Sequence, residues 1–214
     1  MMRKLLLLLP MILALAACQT VPTGPGAASD YYQRGRSALL GENFSAAIEN
    51  FQEAVRLDPR YGEAFYGLGQ AYEATGRKQL ALKAYLDAIA VQPSLGKAQA
   101  AAGRLYFEQR DYGPAEAYLN KATTLIPSDP APFYYLGEIY RMQGKCNSSV
   151  SMFKKALALN PAFLDAKDGL RRTQSEVCKS SGTRKTSTRT PTRPTYQKTD
   201  VFTGGGRALK PSEW

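Results

Sequence analysis

Residues 62–95 read GEAFYGLGQAYEATGRKQLALKAYLDAIAVQPSL. Two apolar stripes run through this stretch at the spacing of an α-helix face, Phe65, Leu68 and Tyr72 in the first and Ala81, Tyr85 and Ala88 in the second. Gly76 lies between them, where a helix end calls for a residue that tolerates positive φ, and Pro93 stops the second run because it can neither donate a backbone N–H nor continue the helix. The stretch is a pair of helices.

The same pair recurs along the chain with a period of 34 residues: Gly35, Gly69, Gly103 and Gly137 mark the first run, and Pro59, Pro93, Pro127 and Pro161 close the second. Twelve residues after each glycine stands a small side chain (Ala47, Ala81, Ala115, Ser149). Four further on comes a large one (Phe51, Tyr85, Leu119, Phe153), and three beyond that an alanine (Ala54, Ala88, Ala122, Ala156). Tyr31, Phe65 and Phe133 precede their glycines by four, with Gln99 as the exception, and Tyr72, Tyr106 and Tyr140 follow theirs by three. Gly41, Gly76 and Gly144 are expected at the turns inside the pairs, and Pro114 at a helix start.

This pattern closely resembles the tetratricopeptide repeat over residues 28–163. One helix pair cannot bury its own apolar face, so four pairs are expected to stack into one core, in repeats 28–61, 62–95, 96–129 and 130–163. The fold class is all-α, an α-solenoid of four helix pairs plus a C-terminal capping helix over 164–178, the whole domain covering 30–178; the resemblance adds a right-handed superhelical curve. The first repeat departs from the pattern, with Arg34 in the leucine slot and Ala38 in the tyrosine slot, as suits a unit with no neighbour before it.

In that family the first helix of each pair lines an inner groove that grips a protein or peptide partner. Carried onto this chain, the slot three before each glycine holds Tyr32, Tyr66, Ala100 and Tyr134, and the slot one after it Arg36, Gln70, Arg104 and Glu138; Phe107 and Arg141 lie one turn further. Tyr32, Arg36, Tyr66, Gln70, Arg104, Phe107, Tyr134, Glu138 and Arg141 are therefore the expected partner-binding residues. The competing reading is that the tyrosines merely pack adjacent helices. Of the set that some relatives use to clamp a C-terminal carboxylate, Lys97 alone matches, since Tyr32, Arg36, Gly67 and Ala101 occupy the other slots; a heat-shock-chaperone adaptor is not expected.

The chain opens with Arg3-Lys4 and an apolar run, Leu5 to Ala14, too short for a permanent span of about 20 residues. Leu15-Ala16-Ala17-Cys18 resembles a bacterial lipobox, which implies a signal peptide over 1–17 and covalent lipid on Cys18. Gln19, where the inner-membrane retention signal is usually Asp, implies the outer membrane of a Gram-negative envelope, lipid-anchored with the domain facing the periplasm. Residues 18–29, with Pro22, Gly24, Pro25 and Gly26, read as a lipidated flexible tether.

Composition narrows the function classes. The 214 residues include no histidine, which removes the common catalytic triads and histidine-bearing zinc sites. No catalytic residue, metal site or cofactor is expected beyond the lipid on Cys18, and the chain is not read as an enzyme. The formal charge of +10 divides unevenly: residues 19–178 hold 18 basic and 16 acidic side chains, whereas residues 179–214 hold 8 and 2. With the excess at the ends and no recognition motif, no nucleic-acid partner is expected. The segment 179–214 contains 12 serines and threonines and, of leucine, valine, isoleucine and phenylalanine, only Val201, Phe202 and Leu209; it reads as a disordered basic tail. Its spaced cations suit either contact with anionic lipid or polymer or plain solvation. Cys146 and Cys178 are expected to pair as a disulfide in the oxidising envelope.

The resemblance extends to lipoproteins of this repeat class, pilotins and assembly factors of type IV and tight-adherence (Flp) pili. It implies an outer-membrane-anchored scaffold that assists assembly or localisation of an envelope complex such as a pilus or secretion system. The alternative is an adaptor that recruits peptidoglycan hydrolases or proteases to the cell wall.

Overall fold

The computed structural model describes residues 26–177, with side chains as far as Ser175. Among the described residues the secondary structure is entirely helical. The pairs are α1 (Ala27–Leu40) with α2 (Phe44–Leu57), α3 (Gly62–Ala74) with α4 (Lys78–Val91), α5 (Gly96–Glu108) with α6 (Tyr112–Leu125), and α7 (Pro130–Met142) with α8 (Cys146–Leu159). The last helix, α9 (Leu164–Arg172), continues into a π-helical turn, Thr173–Val177. This is the expected all-α solenoid, each helix packing on the next along the chain. The segments expected to be leader (1–17), lipid site (Cys18) and tail (179–214) lie outside the described residues, and α1 begins at Ala27, inside the stretch read as tether.

The helix ends follow from local chemistry. Asn43 and Asp129 cap α2 and α7 by accepting the N–H of Ala46 at 3.2 Å and of Ala131 at 2.9 Å. The second helices end at Asp58, Gln92, Ile126 and Asn160, each followed by its proline. At the turns inside the pairs the sequence expectation needs correction. Gly76 (φ 73°) and Gly144 (φ 71°) take the left-handed conformation as expected, but Gly41 does not (φ −85°). In the first pair Glu42 takes it, at φ 57°, and in the third Arg110, at φ 63°. Residues 42, 76, 110 and 144 are 34 apart, so the left-handed position is fixed by the repeat frame and Gly41 stands one residue too early to fill it.

Packing within and between pairs turns on one large side chain set between two helices. A Cβ added at Gly35 would come 2.8 Å from the Phe51 ring, and one at Gly67 would come 2.6 Å from the same ring. Phe153 is held identically between Gly137 and Gly169, at 2.7 and 2.5 Å. Fully buried Leu119 has Gly103 on one side and, across the next junction, half-buried Tyr135 packed into its cluster. Sizes are matched across the junctions: Phe51 meets Gly67 and Phe153 meets Gly169, Ala101 packs into the cluster of Tyr85, and the smaller Leu119 shares its cluster with the larger Tyr135.

The glycine that receives Phe153 belongs to α9, so the cap docks as the first helix of a fifth pair would. Ser149 donates to the carbonyl of Gly137 at 2.9 Å and lies 3.1 Å from the Thr173 hydroxyl, which itself takes the Gly169 carbonyl at 2.8 Å. A carbonyl shared with a side chain in this way loosens the helical ladder, and there the cap widens into its π turn.

Candidate binding groove

The site is built by α3, α5 and α7, the first helices of the second, third and fourth pairs. A cavity of about 650 Å³ opens across the three. Tyr66, Gln70 and Glu73 come from α3; Lys97, Ala100, Ala101 and Arg104 from α5; Ala131, Pro132 and Tyr135 from α7, with Asp129 at its N-cap. The floor is small and apolar because these three helices present alanines inward. The walls are aromatic.

Arg104 governs the electrostatics. Its Nη2 lies 2.6 Å from both carboxylate oxygens of Glu73, across the α3–α5 junction, and its Nη1 lies 2.7 Å from Glu108. Lys78 reaches the other oxygen of Glu108 at 2.7 Å, and the Tyr85 hydroxyl donates to Glu73 at 3.0 Å. Two cations therefore balance two carboxylates. Burial alone would lower the Arg104 pKa, but the hydrogen bonds to Glu73 and Glu108 outweigh it and hold the guanidinium above its ordinary value. Burial pushes the phenols of Tyr66, Tyr85 and Tyr135 up, and at Tyr85 the neighbouring Glu73 carboxylate adds to it. The Glu108 carboxyl, which burial would raise, is drawn below the usual range by Lys78 and Arg104. Lys97 is exposed at the rim and makes no ion pair among the described residues. Near neutrality the Arg104 guanidinium therefore stays charged, the Glu108 carboxyl ionised and the three phenols neutral, an arrangement suited to holding a side chain rather than moving a proton.

Of the expected groove residues, Tyr66, Gln70 and Arg104 come together on this cavity. The others lie elsewhere. Tyr32 packs on Phe51 and Tyr61, with centroids 5.9 and 5.0 Å apart, and Arg36 sits over the Tyr32 ring. Phe107 packs on Tyr112 and Tyr135, and Tyr134 on Tyr135, Phe153 and Phe163. Glu138 is 4% exposed and paired with Arg141, whose Nη2 is 2.7 Å from Oε2, so both belong to the junction with the cap. Among the described residues Cys146 is a free cysteine, half-buried at the start of α8; the bridge expected from it is not seen, and its partner Cys178 lies outside those residues. Sequence reading missed Glu73, Asp129 and Tyr135. Glu73 was within reach, for it stands four after its glycine, in the slot already assigned to Phe107 and Arg141.

The tetratricopeptide repeat family model matches residues 32–94 and 75–130. Residues 32–130 carry tetratricopeptide repeats. Among curated relatives, anaphase-promoting complex subunit 6 of Arabidopsis thaliana is 26% identical over 152 residues, which is 71% of this chain and 28% of the relative. Superkiller protein 3 of Saccharomyces cerevisiae is 47% identical over 60 residues, 28% of this chain and 4% of the relative. The chain thus spans less than a third of either protein. Among solved structures, MamA superposes with a TM-score of 0.63 at 20% identity, over 69% of this chain and 81% of MamA. YrrB, described as a tetratricopeptide repeat protein with an unusual peptide-binding site, gives 0.64 at 19% identity, over 74% of this chain and 79% of YrrB. At these identities the structures establish the shared fold. The family that matches is one of helical repeats and not a catalytic one.

Proposed function

We propose that this tetratricopeptide protein is an outer-membrane-anchored scaffold that holds a protein partner during assembly of an envelope complex such as a pilus or secretion system. The observation that carries the reading is the cavity across α3, α5 and α7, which offers aromatic walls, an alanine floor and a fixed charge network to an incoming chain. Support for the anchor is the series Arg3-Lys4, apolar run and Leu15-Ala16-Ala17-Cys18, with Gln19 directing the lipidated protein outward. Several acyl chains, at about 0.8 kcal/mol per buried methylene, hold such a protein at a bilayer.

Crosslinked capture from intact envelopes tests both halves. Wild-type protein should be recovered with membranes and Cys18→Ser with the soluble periplasmic fraction; retention of the variant in membranes overturns the anchor. Pilus or secretin subunits captured by the wild type, and lost from Arg104→Glu, support the assembly role. Peptidoglycan hydrolases or wall proteases in their place would turn the assignment to the adaptor reading, to which a basic tail on an anionic wall is suited.

A further inference from the structure

The cavity exists because one repeat breaks the pattern. Tyr32, Tyr66 and Tyr134, in the slot three before the glycine, each rest on the ring nineteen residues later: Phe51, Tyr85 and Phe153, with centroids 5.9, 5.6 and 6.1 Å apart. In the first and fourth repeats a second ring, twenty-nine residues later, closes the other side, Tyr61 on Tyr32 at 5.0 Å and Phe163 on Tyr134 at 5.1 Å. In the third repeat all three slots change together. Ala100 stands for the tyrosine, Leu119 for the ring beneath it and Asp129 for the ring beside it. The ladder of inward aromatics loses a rung here, and Ala100 and Asp129 both line the opening that results.

A side chain that fills this gap must bring a ring, since rings fill the same place in the neighbouring repeats. Asp129 sets the polar requirement. One of its oxygens caps α7 through the N–H of Ala131 at 2.9 Å, and the other accepts no hydrogen bond among the described residues. Asp129 lines the opening, and its second oxygen is an acceptor open to a donor at the tip of such a ring. Lys97, on the rim and unpaired, asks for a carboxylate beside it.

We infer that the cavity at Ala100 is a specificity pocket for a partner's tyrosine side chain with an acidic neighbour, its ring completing the aromatic ladder and its hydroxyl donating to Asp129. This deepens the scaffold reading and rests on it: the groove grips, and this pocket selects what it grips. Aromatic anchors in such pockets carry much of the affinity of a protein interface.

The test uses the full chain with alanine methyls labelled for NMR and a capped Ser/Gly peptide carrying one Asp-Tyr pair. Ring-current shifts are expected at Ala100, Ala101 and Ala131, with binding weakened about tenfold when the probe's Tyr is replaced by Ala, and by a smaller factor when it is replaced by Phe. Ala100→Tyr supplies the missing ring from within, so it should abolish peptide shifts while melting no lower than wild type. Should that variant fail to fold, Ala100→Met, which fills the slot with a flexible side chain, should weaken the same shifts. Equal shifts from the Tyr and Ala probes, or unaltered binding by Ala100→Tyr, overturn the pocket. If Ala100→Tyr still enriches the same envelope partners as wild type, the pocket fails and the scaffold stands; if wild type enriches no partner yet binds the Asp-Tyr probe as described, the scaffold's role fails and the pocket stands.

Discussion

Arg104 of α5 grips Glu73 of α3 across the junction of the second and third repeats, with its Nη2 2.6 Å from each carboxylate oxygen. The fork geometry of a guanidinium allows this and at the same time a 2.7 Å bond from Nη1 to Glu108 one turn along its own helix. Since Lys78 completes Glu108 and the Tyr85 hydroxyl completes Glu73, the groove wall and the repeat junction are one hydrogen-bonded unit.

Removing its centre should therefore cost more than a surface ion pair. With side chains about a quarter exposed, Arg104→Met leaves Glu73 and Glu108 short of a partner and should lower unfolding free energy by about 1–3 kcal/mol, measured by chemical denaturation. Arg104→Lys keeps the charge but loses the fork and should fall between. The pH dependence has a definite sign. Because the folded Glu108 carboxyl lies below its ordinary value, its contribution is present above the unfolded pKa of about 4.3 and disappears as pH falls through the lowered folded value. Arg104→Met should flatten that acid limb. An unchanged limb would place the acid sensitivity on other carboxylates.

The left-handed position of the repeat gives a second prediction. Glu42 and Arg110 hold φ of 57° and 63° where Gly76 and Gly144 hold 73° and 71°. A side chain with a Cβ is disfavoured there by roughly 1–2 kcal/mol, offset in part by the greater freedom glycine has when unfolded. Glu42→Gly and Arg110→Gly should each stabilise the protein by about 0.5–1 kcal/mol, and Gly76→Ala should destabilise it by about 1 kcal/mol. Nothing lies within 4 Å of a Cβ built at Gly76, so a loss there would report backbone conformation rather than crowding. Thermal unfolding of the three variants checks this.

The helix pairs were legible because glycines, alanines and prolines at fixed intervals each meet a steric demand that the sequence displays directly. Gly35 must be glycine to admit Phe51, and a reader who finds the interval of 34 finds every such site at once. The groove was legible only in part, since the same inward slot does different work in different repeats. Tyr66 lines the cavity, whereas Tyr134, in the identical slot, is covered by Phe163 and the start of the cap. Glu138 shares its slot with Gln70 and Arg104 and is expected in the groove, yet α9 buries it, and no local pattern announces how far a terminal helix will reach. The turn glycines illustrate the opposite error: Gly41 looked right by residue type, and the frame placed the demand on Glu42.

Alkaline titration separates the packed tyrosines from the exposed ones. Burial raises the phenols of Tyr66, Tyr85 and Tyr135, and together with the Glu138 carboxylate pushes Tyr134 up to about 12. A raised folded pKa means that these groups favour the folded state below the unfolded tyrosine value of about 10 and that the advantage is lost as pH climbs past it. Ultraviolet absorbance should show one set of phenols ionising reversibly near pH 10 and a second set ionising only with loss of helical circular dichroism. Ionisation of every tyrosine in a single reversible step, with the helices intact, would contradict the packing described for these rings.

The cap offers the sharpest case, because two independent contacts meet at Gly169. A Cβ there would come 2.5 Å from the Phe153 ring and 2.9 Å from Oε1 of Glu138. Glu138 is held by Arg141 at 2.7 Å through Oε2, while Arg172 of α9 stands 3.7 Å from Oε1, an ion pair without a hydrogen bond. Gly169→Ala should push the cap off both neighbours at once and cost about 1–3 kcal/mol. Glu138→Gln, which keeps the shape and removes the charge, should destabilise through the arginines alone, by an amount that salt reduces only weakly because the carboxylate is buried. If the two sites act through one docking event, the double variant should lose less than the sum of the single losses. Hydrogen exchange should then show α9 and the end of α8 opening first, with α3 to α6 still protected. Simple additivity, with exchange rising evenly along the solenoid, would mean that the cap is no separate unit and that the fourth repeat does not depend on it.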